Sequence, residues 1–412
     1  MAVVSPGRGI GYEAALLMGT IRLKAGHVQP VWAGHPWVYA QAVDRVEGGA
    51  TRGDEVGVLD PRGNLLGRGF YSPGSAIPVR LLVRDATTRI DGAFFIDRVR
   101  RAVRVRAEMG LPDELTTGYR VVHAEGDGLP GLIVDRFGDV AVVQLLTFGM
   151  KARESLVLQA IQEVLRPRAI YDRTPASTAK LEVFEPASGL VRGENVEALA
   201  FQERGLSYRI PLDLGQKTGF YFDQRGLRAR VESLAGGKRV LDTYSYVGAF
   251  AMGAARGGAA SVTAVDESAS ALEVGAECAR ANGLDGKITY VKNDARKALA
   301  EAGSAGGYDL VIVDPPRLAP TRSSRDGALV AYSKLAELGC RATKPGGLLV
   351  VCSCSAAVDL TSLTRALANG ALRANVQAVV LERHFQGHDH PVFAAFGEGL
   401  YLKALVARIE HR

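Results

Sequence analysis

The hydrophobic pattern from Ile21 to about Val83 predicts short strands separated by tight turns. Apolar residues dominate 55–59 and 76–82, and the turn residues of 60–64, which combine a proline with glycine and asparagine, separate strand-like runs. Closely spaced strands with glycine-rich turns are typical of a small β-barrel. We therefore expect a β-barrel domain over 20–90, preceded by an N-terminal tail over 1–19.

The pattern becomes mixed between 91 and 200. Apolar positions recur at helical spacing from Gly92 to Met109 and from Lys151 to Leu165, whereas Leu132–Asp135 has the composition of a strand. This mixture predicts a small central α+β domain. We expect the linker to the next domain near 194–204.

Strand and helix then alternate regularly to the C-terminus. The predicted strands are Arg239–Asp242, Ser261–Asp266, Thr289–Lys292, Tyr308–Asp314, Leu348–Cys352, Gln377–Glu382 and Leu400–Val406. The fourth of them is almost continuously apolar, as expected when helices cover both faces of a sheet. Five successive strand–helix units predict an α/β domain over 201–412 with a mostly parallel, doubly wound sheet.

Composition narrows the functional class. The chain has 412 residues, of which 47 % are hydrophobic and 23 % charged, which fits a globular protein of two or three domains. It has no apolar run of membrane-spanning length and no secretory signal pattern, so we expect a cytoplasmic protein without a membrane partner. The four cysteines do not have the spacing of a disulfide framework, which predicts reduced thiols. A net charge of +6 fits a polyanionic partner, and equally an arginine-rich protein without one.

Candidate chemistry lies where the predicted strands end, because ligands of a doubly wound sheet bind outside the carboxyl ends of its strands. Asp242 ends the first strand and precedes a turn that lacks the glycine pattern of dinucleotide-binding proteins. Asp266 ends the second strand, where a carboxylate can accept hydrogen bonds from both ribose hydroxyls. Asp294 follows the third strand, where it can accept from an adenine amino group. Any one acid could simply cap a helix, but the ordered set predicts a nucleoside cofactor without a pyrophosphate, which describes S-adenosylmethionine.

Two further side chains are candidates for catalysis. Asp314 ends the fourth strand and precedes two prolines, which stop the strand ladder and hold a rigid turn. Cys352 and Cys354 face the same way on the fifth strand, and Cys354 lies nearer its carboxyl end. A buried inert cysteine is the common alternative, but the position beside Asp314 favours a nucleophile. Neither the cysteine pair nor the histidines of 384–390 come with the further ligands of a metal site, so we expect no metal.

Several segments, in order along the chain, resemble the RlmI-like large-subunit ribosomal RNA 5-methylcytosine methyltransferases. The resemblance runs from about Ile21 to the C-terminus. It rests on Gly34–Tyr39, Arg68–Pro73, Asp127–Gly131, Lys217–Arg225, Asp314–Pro316, Ser353–Ser355, Asp389–Val392 and Glu398–Lys403. It implies a PUA-like RNA-binding domain over 20–90, a central α+β domain over 91–200 and a class I methyltransferase domain over 201–412. It also implies S-adenosylmethionine as the cofactor and large-subunit ribosomal RNA as the partner, whereas both a monomer and a homodimer fit the sequence.

The strand ends and the resemblance together give the candidate site. Asp314 and Cys354 are the candidate catalytic residues. The candidate cofactor-binding residues are Gln224, Asp242, Tyr244, Ser245, Tyr246, Gly248, Asp266, Glu267, Ser268, Asn293, Asp294, Ala295 and Asp314. The candidate substrate-binding residues are Lys217, Tyr221, Pro315 and Arg317.

The chemistry of the family suggests a mechanism. Attack by the thiolate of Cys354 on carbon 6 of cytosine would make carbon 5 nucleophilic, and Asp314 would stabilise the charge that develops on the ring. We expect Lys217 or Arg317 to lower the pKa of the thiol. Many RNA 5-methylcytosine enzymes carry a second cysteine beside the fourth-strand prolines, but this chain, like the RlmI-like branch, does not. Another group must therefore help to release the product, and the sequence does not name it.

Three rival interpretations stay open at this stage. In the first, the enzyme methylates a base amino nitrogen, Asp314 holds the amine and Cys354 is structural; the missing aromatic residue after Pro316 counts against this. In the second, the chain binds RNA and cofactor without catalysis. The third, a nicotinamide oxidoreductase, is disfavoured by the glycine-poor turn after Asp242.

Overall fold

The computed structural model describes residues 19–186, 188–214, 217–319 and 323–411. The predicted tail over 1–19 therefore lies outside the described residues except for its last position. The described chain forms an N-terminal sheet, a central α+β unit and a C-terminal α/β unit. In this part of the chain, no helix combines the length and the apolar character needed to cross a membrane.

The N-terminal region is a mixed sheet around a small apolar core. Its elements are β1 (Gly19–Leu23), α1 (Gln29–Trp32), β2 (Trp37–Val38), β3 (Val43–Glu47), β4 (Glu55–Leu59), β5 (Leu65–Tyr71) and β6 (Val79–Val83). The strand order is β2-β6-β5-β4-β1-β3. The strand predicted over 55–59 is confirmed, whereas the one predicted over 76–82 begins only at Val79, because Pro78 has no amide hydrogen to extend the ladder.

The central unit packs helices against an independent sheet. Its elements are α2 (Gly92–Glu108), β7 (Gly118–His123), β8 (Leu132–Phe137), β9 (Val140–Leu145), α3 (Phe148–Lys151), α4 (Glu154–Leu165), β10 (Ala169–Arg173), α5 (Ala176–Glu182) and β11 (Ser188–Gly193), with the sheet order β11-β10-β9-β8-β7. The prediction of α2 is confirmed, and Asp91 caps it by accepting from the Phe94 amide at 3.1 Å. The helix predicted over 151–165 is interrupted between α3 and α4. There the Arg153 side chain donates to the carbonyls of Gly149 and Gly53, which ties this break to the N-terminal region.

The predicted linker over 194–204 is wrong. It contains β12 (Ala198–Glu203), which pairs antiparallel with β13 (Leu206–Pro211), and the predicted domain boundary after residue 200 falls inside β12. Phe201 is 4 % exposed and its ring lies 5.1 Å from that of Tyr208. It also contacts Phe137 of the central unit and Phe222 of the next segment. The hairpin is therefore a packed joint, because its apolar side is covered from both neighbouring regions.

The C-terminal unit has the predicted doubly wound architecture. Its elements are α6 (Arg225–Leu234), β14 (Arg239–Thr243), α7 (Ala249–Arg256), β15 (Ser261–Asp266), α8 (Ala269–Ala281), β16 (Ile288–Lys292), α9 (Ala295–Ser304), β17 (Tyr308–Val313), α10 (Arg325–Ala342), β18 (Thr343–Ser353), α11 (Leu360–Arg373), β19 (Val376–Phe385) and β20 (Lys403–His411). The sheet order is β16-β15-β14-β17-β18-β20-β19. The strands from β14 to β18 are parallel, and β20 is inserted antiparallel between β18 and β19. Apolar clusters cover both faces of this sheet, so its accessible polar side chains gather at the strand ends.

A buried ionic network joins the central and C-terminal units. Asp389, which is not exposed to solvent, accepts through one carboxylate oxygen from Arg225 at 2.9 Å and from the Arg120 amide at 3.1 Å. Its other oxygen lies 2.8 Å from His390, and its backbone carbonyl accepts from Arg106. Paired charges of this kind tolerate burial only while every partner is present. The network therefore fixes the position of the central sheet against the strand ends of the C-terminal sheet.

Candidate active site

A cleft of about 1230 Å³ opens where the parallel strands of the C-terminal sheet end. Its wall combines the ends of β14 to β18 with residues of the central unit and of the segment before α6. Most of the candidate residues predicted from the sequence line it, namely Lys217, Tyr221, Gln224, Tyr244, Ser245, Tyr246, Asp266, Glu267, Asn293, Asp294, Ala295, Asp314, Pro315, Arg317 and Cys354. The strand ends thus meet at one edge, as the sheet topology requires.

Three of the predicted cofactor-binding residues do not line the cleft. Asp242 is 1 % exposed. It accepts a hydrogen bond from the Ala251 amide at 3.0 Å and thereby fixes the first turn of α7. Ser268 caps α8 by accepting from the Ala271 amide. Gly248 takes a left-handed conformation, and a Cβ there would lie 2.9 Å from the ring of Tyr290. These residues shape the walls of the cleft, and the sequence could not separate this role from ligand contact.

Asp266 organises the loop between β14 and α7. One carboxylate oxygen accepts from the Tyr246 amide at 2.8 Å and the other from the Ser268 amide at 2.9 Å. The loop itself is strained, because Tyr244 and Tyr246 both have positive φ, at 60° and 52°. Each carboxylate oxygen of Asp266 retains a lone pair, since an ionised carboxylate has about four acceptor sites.

The end of β16 brings a second acid to the same part of the cleft. Asp294 accepts from the Lys297 amide at 2.9 Å and thereby caps α9. Backbone hydrogen bonding from Lys297, followed by Arg296, holds the pKa of Asp294 below its usual value. Tyr244 lies nearby, and burial, together with the charge of Asp294, raises its pKa to about 12. This part of the cleft therefore combines carboxylates with aromatic side chains.

The other end of the cleft holds the two candidate catalytic residues. Asp314 follows β17 and accepts from the Gln224 side-chain amide at 3.0 Å. Burial and the negative charge of Asp223 raise the pKa of Asp314 to about 7, although Lys217 and the bond from Gln224 act in the opposite direction. Asp314 is thus a carboxyl group that can either donate or accept a proton near neutral pH.

Cys354 lies just beyond the end of β18, lines the same cleft as Asp314 and is partly accessible. Burial raises the pKa of its thiol, Lys217 lowers it, and Asp314 raises it again, so the net result is a pKa above the ordinary value. The expectation of a lowered thiol pKa is therefore wrong, because burial of the thiol, reinforced by the charges of Asp314 and Asp223, outweighs the effect of Lys217. Lys217 is correctly identified as a cation that lowers it, whereas Arg317 directs its Nε to the Ala319 carbonyl.

Lys217 and Tyr221 form the mouth of the reaction end. The ammonium of Lys217 lies 4.3 Å from the centroid of the Tyr221 ring, within the range of a cation–π contact. Tyr221 in turn meets Tyr246 edge to face, with ring centroids 5.7 Å apart. An exposed cation beside aromatic rings is suited to contact with phosphate and a stacked base.

Five further residues line the cleft but are absent from the candidate residues named above. They are Arg120, His123, Asp223, His390 and Tyr401. Tyr401 donates to Asp223 at 2.7 Å, and the rings of His123 and His390 lie 4.9 Å apart. Three of them lie inside segments that carry the family resemblance, namely Asp223, His390 and Tyr401. That resemblance was the feature of the sequence that could have identified them as site residues.

Two of the three histidines of 384–390 have acidic partners. His384 lies 2.8 Å from Glu382, and His390 lies at the same distance from Asp389. Within the described ranges, no three His, Cys, Asp or Glu side chains are grouped closely enough to hold a metal ion.

Comparison with known proteins gives matches over nearly the whole chain. Residues 122–406 match the family model of S-adenosylmethionine-dependent methyltransferases, and residues 21–84 match that of a PUA-like domain. A protein of Shewanella denitrificans named ribosomal RNA large subunit methyltransferase I is 37 % identical over 393 residues, which cover 94 % of this chain and 99 % of that one. A protein of Escherichia coli O157:H7 with the same name is 36 % identical over 390 residues, covering 94 % and 98 %.

Solved structures support the same fold. A putative S-adenosylmethionine-dependent methyltransferase from Streptococcus mutans superposes with a TM-score of 0.82 at 21 % identity, covering 94 % of this chain and 99 % of that one. A second structure, of a putative methyltransferase complexed with SAH, gives the same values. The predicted combination of a PUA-like domain with a Rossmann-like methyltransferase sheet is confirmed.

Proposed function

Because the chain belongs to the S-adenosylmethionine-dependent methyltransferases, and among them to the ribosomal RNA large subunit methyltransferase I family, we propose that it methylates carbon 5 of a cytosine in large-subunit ribosomal RNA. The proposed route is a covalent adduct between Cys354 and the base. The observation that carries this proposal is the presence of a partly accessible thiol and a partly buried carboxyl group, whose pKa is about 7, in one cleft.

Other residues of the cleft fit the cofactor. Ser245 Oγ, and also Gln224 Oε1 next to Asp314, are buried and have no hydrogen-bond partner among the described residues, so the cleft wall offers polar atoms to a ligand. Asp266 and Asp294 are proposed to hold the ribose hydroxyls and the adenine amine. When bound, S-adenosylmethionine supplies an electrophilic methyl group on its sulfonium sulfur. The protein has to hold the target base beside that methyl group and raise the reactivity of carbon 5.

Cys354 and Asp314 divide this work between them. A thiolate on Cys354 would attack carbon 6, which makes carbon 5 nucleophilic. A protonated Asp314 is complementary to the edge of cytosine, because its hydroxyl can donate to N3 while its carbonyl accepts from the 4-amino group. Transfer of the Asp314 proton to N3 would neutralise the charge that the attack creates.

The remaining domains are suited to hold the RNA. The match to a PUA-like domain over 21–84 and the net charge of +6 support binding to a polyanion. On α2, Arg101 and Arg104 are exposed, whereas Arg106 is buried against Asp127 and cannot reach a phosphate. The target base must leave any helical stack to reach the cleft, since Cys354 and Asp314 lie inside it.

The nature of the product tests the proposal directly. The purified protein, incubated with methyl-labelled S-adenosylmethionine and large-subunit ribosomal RNA from a strain lacking the gene, should yield labelled 5-methylcytidine after digestion to nucleosides. RNA from the parent strain, already modified, is the control and should accept little label. Labelled N4-methylcytidine would instead establish amino-nitrogen methylation. If neither RNA acquired label, the protein would be one that binds RNA and cofactor without catalysis.

The pH dependence of the reaction should follow Asp314. Between the pKa of Asp314, about 7, and the higher pKa of Cys354, the pair holds one proton, and placing that proton on Asp314 leaves the reactive thiolate. Below about pH 7 the pair holds two protons, so kcat/KM should rise with pH up to that value and then level off. Single-turnover rates from pH 5.5 to 9.5 measure this profile.

The Asp314→Asn variant provides the matched control for this profile. An amide keeps the hydrogen-bonding pattern towards cytosine but cannot hold the shared proton. Its rate should be lower and should continue to rise with pH towards the pKa of the thiol. If the rate of the variant also levels off near pH 7, as in the wild type, the rise in rate below pH 7 is not due to Asp314.

A further inference from the structure

Asp223 is a buried carboxylate in the wall of the cleft that Asp314 also lines. It lies in the single 3₁₀ turn Phe222–Gln224 that leads into α6, and its side chain lines the cleft while only 6 % of the residue is exposed. The next residue, Gln224, donates to Asp314 at 3.0 Å. The turn therefore places the amide of Gln224 against Asp314 and presents the carboxylate of Asp223 to the same cavity.

The two oxygens of this carboxylate have different surroundings. Oδ2 accepts from the hydroxyl of Tyr401 at 2.7 Å, which fixes the orientation of the group. Oδ1 is buried and has no hydrogen-bond partner among the described residues. A buried carboxylate oxygen without a donor is unfavourable unless a ligand or a reacting proton uses it.

The electrostatics separate Asp223 from Asp314. Burial alone would raise the pKa of Asp223, but Lys217, His390 and the hydrogen bond from Tyr401 together bring it below its ordinary value. The pKa of Asp314 is raised to about 7. Two carboxyl groups in one cleft with pKa values shifted apart are characteristic of a base and an acid with separate tasks.

We propose that Asp223 is the base that removes the proton from carbon 5 after methylation and so releases the product from Cys354. This inference rests on the proposed cytosine chemistry. In the adduct, sulfur is bonded to carbon 6 and carbon 5 carries both the new methyl group and its original hydrogen. Oδ1 takes that hydrogen as a proton, and the electron pair of the carbon–hydrogen bond becomes the double bond between carbons 5 and 6. The carbon–sulfur bond breaks, Cys354 leaves as a thiolate, and the base returns its N3 proton to Asp314.

The other titratable groups on this wall are already engaged. His390 directs Nδ1 to Asp389, and burial, followed by the charge of His390, lowers the pKa of His123 well below its ordinary value. The hydroxyl of Tyr401 donates a hydrogen bond to Asp223. Burial, reinforced by the charge of Asp223, raises the pKa of Tyr401 far above the usual range. Asp223 is the member of this group that offers an ionised, oriented and unpartnered acceptor to the cavity.

The Asp223→Asn variant tests this role through the adduct. Without the base, methyl transfer can occur once but elimination cannot, so a denaturation-resistant protein–RNA complex carrying labelled methyl should accumulate, up to one per enzyme. Multiple-turnover rates should fall by about 10²-fold or more. Substrate RNA from the deletion strain grown with [5-³H]uridine should release tritium rapidly with the wild type and very slowly with the variant.

Three companion variants separate a catalytic from a structural effect. Asp172 is also buried and also has an unpartnered oxygen, but it lies outside the cleft, so Asp172→Asn should turn over normally without forming an adduct. Asp223→Glu, which keeps a carboxylate, should restore measurable tritium release. Asp223→Asn combined with Cys354→Ala should form no adduct. Binding of S-adenosylhomocysteine to each variant, measured by calorimetry, verifies that the fold is intact.

The outcomes distinguish this inference from the function on which it rests. If the wild type makes 5-methylcytidine and Asp223→Asn either turns over normally or loses activity without forming an adduct, the assignment of the base is wrong and the function stands. If the wild type makes N4-methylcytidine, the function is wrong and this inference fails with it.

Discussion

Replacing Cys354 with alanine is expected to reduce methylation of large-subunit ribosomal RNA by about 10³-fold or more, because deletion of an attacking nucleophile removes the covalent route entirely. Carbon 5 of cytosine is a poor nucleophile, and the described cleft contains no second cysteine that could attack carbon 6. Methyl incorporation under single-turnover conditions measures the loss. Binding of S-adenosylhomocysteine should be unchanged, since the thiol lies at the reaction end of the cleft.

Cys278→Ala is the matched control for this experiment. Cys278 is buried in α8, away from the cleft, so its loss should affect stability slightly and the rate by no more than a few-fold. Amino-nitrogen methylation needs no thiolate. A Cys354→Ala enzyme that methylates at the wild-type rate would therefore refute the adduct and favour that alternative.

Replacing Asp389 with alanine is expected to lower the free energy of unfolding by about 3–5 kcal/mol, the usual cost of leaving buried charges unpaired. The change removes the carboxylate that accepts from Arg225 and from the Arg120 amide. Arg225 would keep only its longer contact with Glu203, at 3.2 Å, and its bond to the Gly118 carbonyl. Thermal and urea unfolding of the full chain, compared with the wild type, measure the effect.

An exposed pair provides the reference for this stability measurement. Asp139 and Arg168 form an ion pair 2.8 Å long, but both side chains are about half exposed or more. Asp139→Ala should therefore change the stability by about 1 kcal/mol at most. If both variants lose the same free energy of unfolding, burial does not increase the contribution of the Asp389 ion pair to stability.

The pattern of apolar and polar residues predicted most of the secondary structure, because strands and helices depend largely on neighbouring residues in the sequence. The strands that end at Asp266 and Val313 are apolar runs bounded by polar residues, and α8 is bounded by the cap Ser268 and by Gly283 with positive φ. The pattern was insufficient in the hairpin β12–β13. The residues that bury Phe201 come from β8 and from the turn before α6, far away in the sequence.

The sequence by itself determined that Asp314 and Cys354 lie at the same edge of the sheet. Adjacent parallel strands end at one edge, and both residues follow strand ends that hydrophobicity alone defines. Tertiary structure decided the rest of the site. Asp223 and Tyr401 converge on the cleft from segments 178 positions apart, and no local pattern encodes such a contact. The pKa values of Asp314 and Cys354 depend on burial and on the charges of Asp223 and Lys217. Desolvation and charge act through space, so they exist only once the chain has folded.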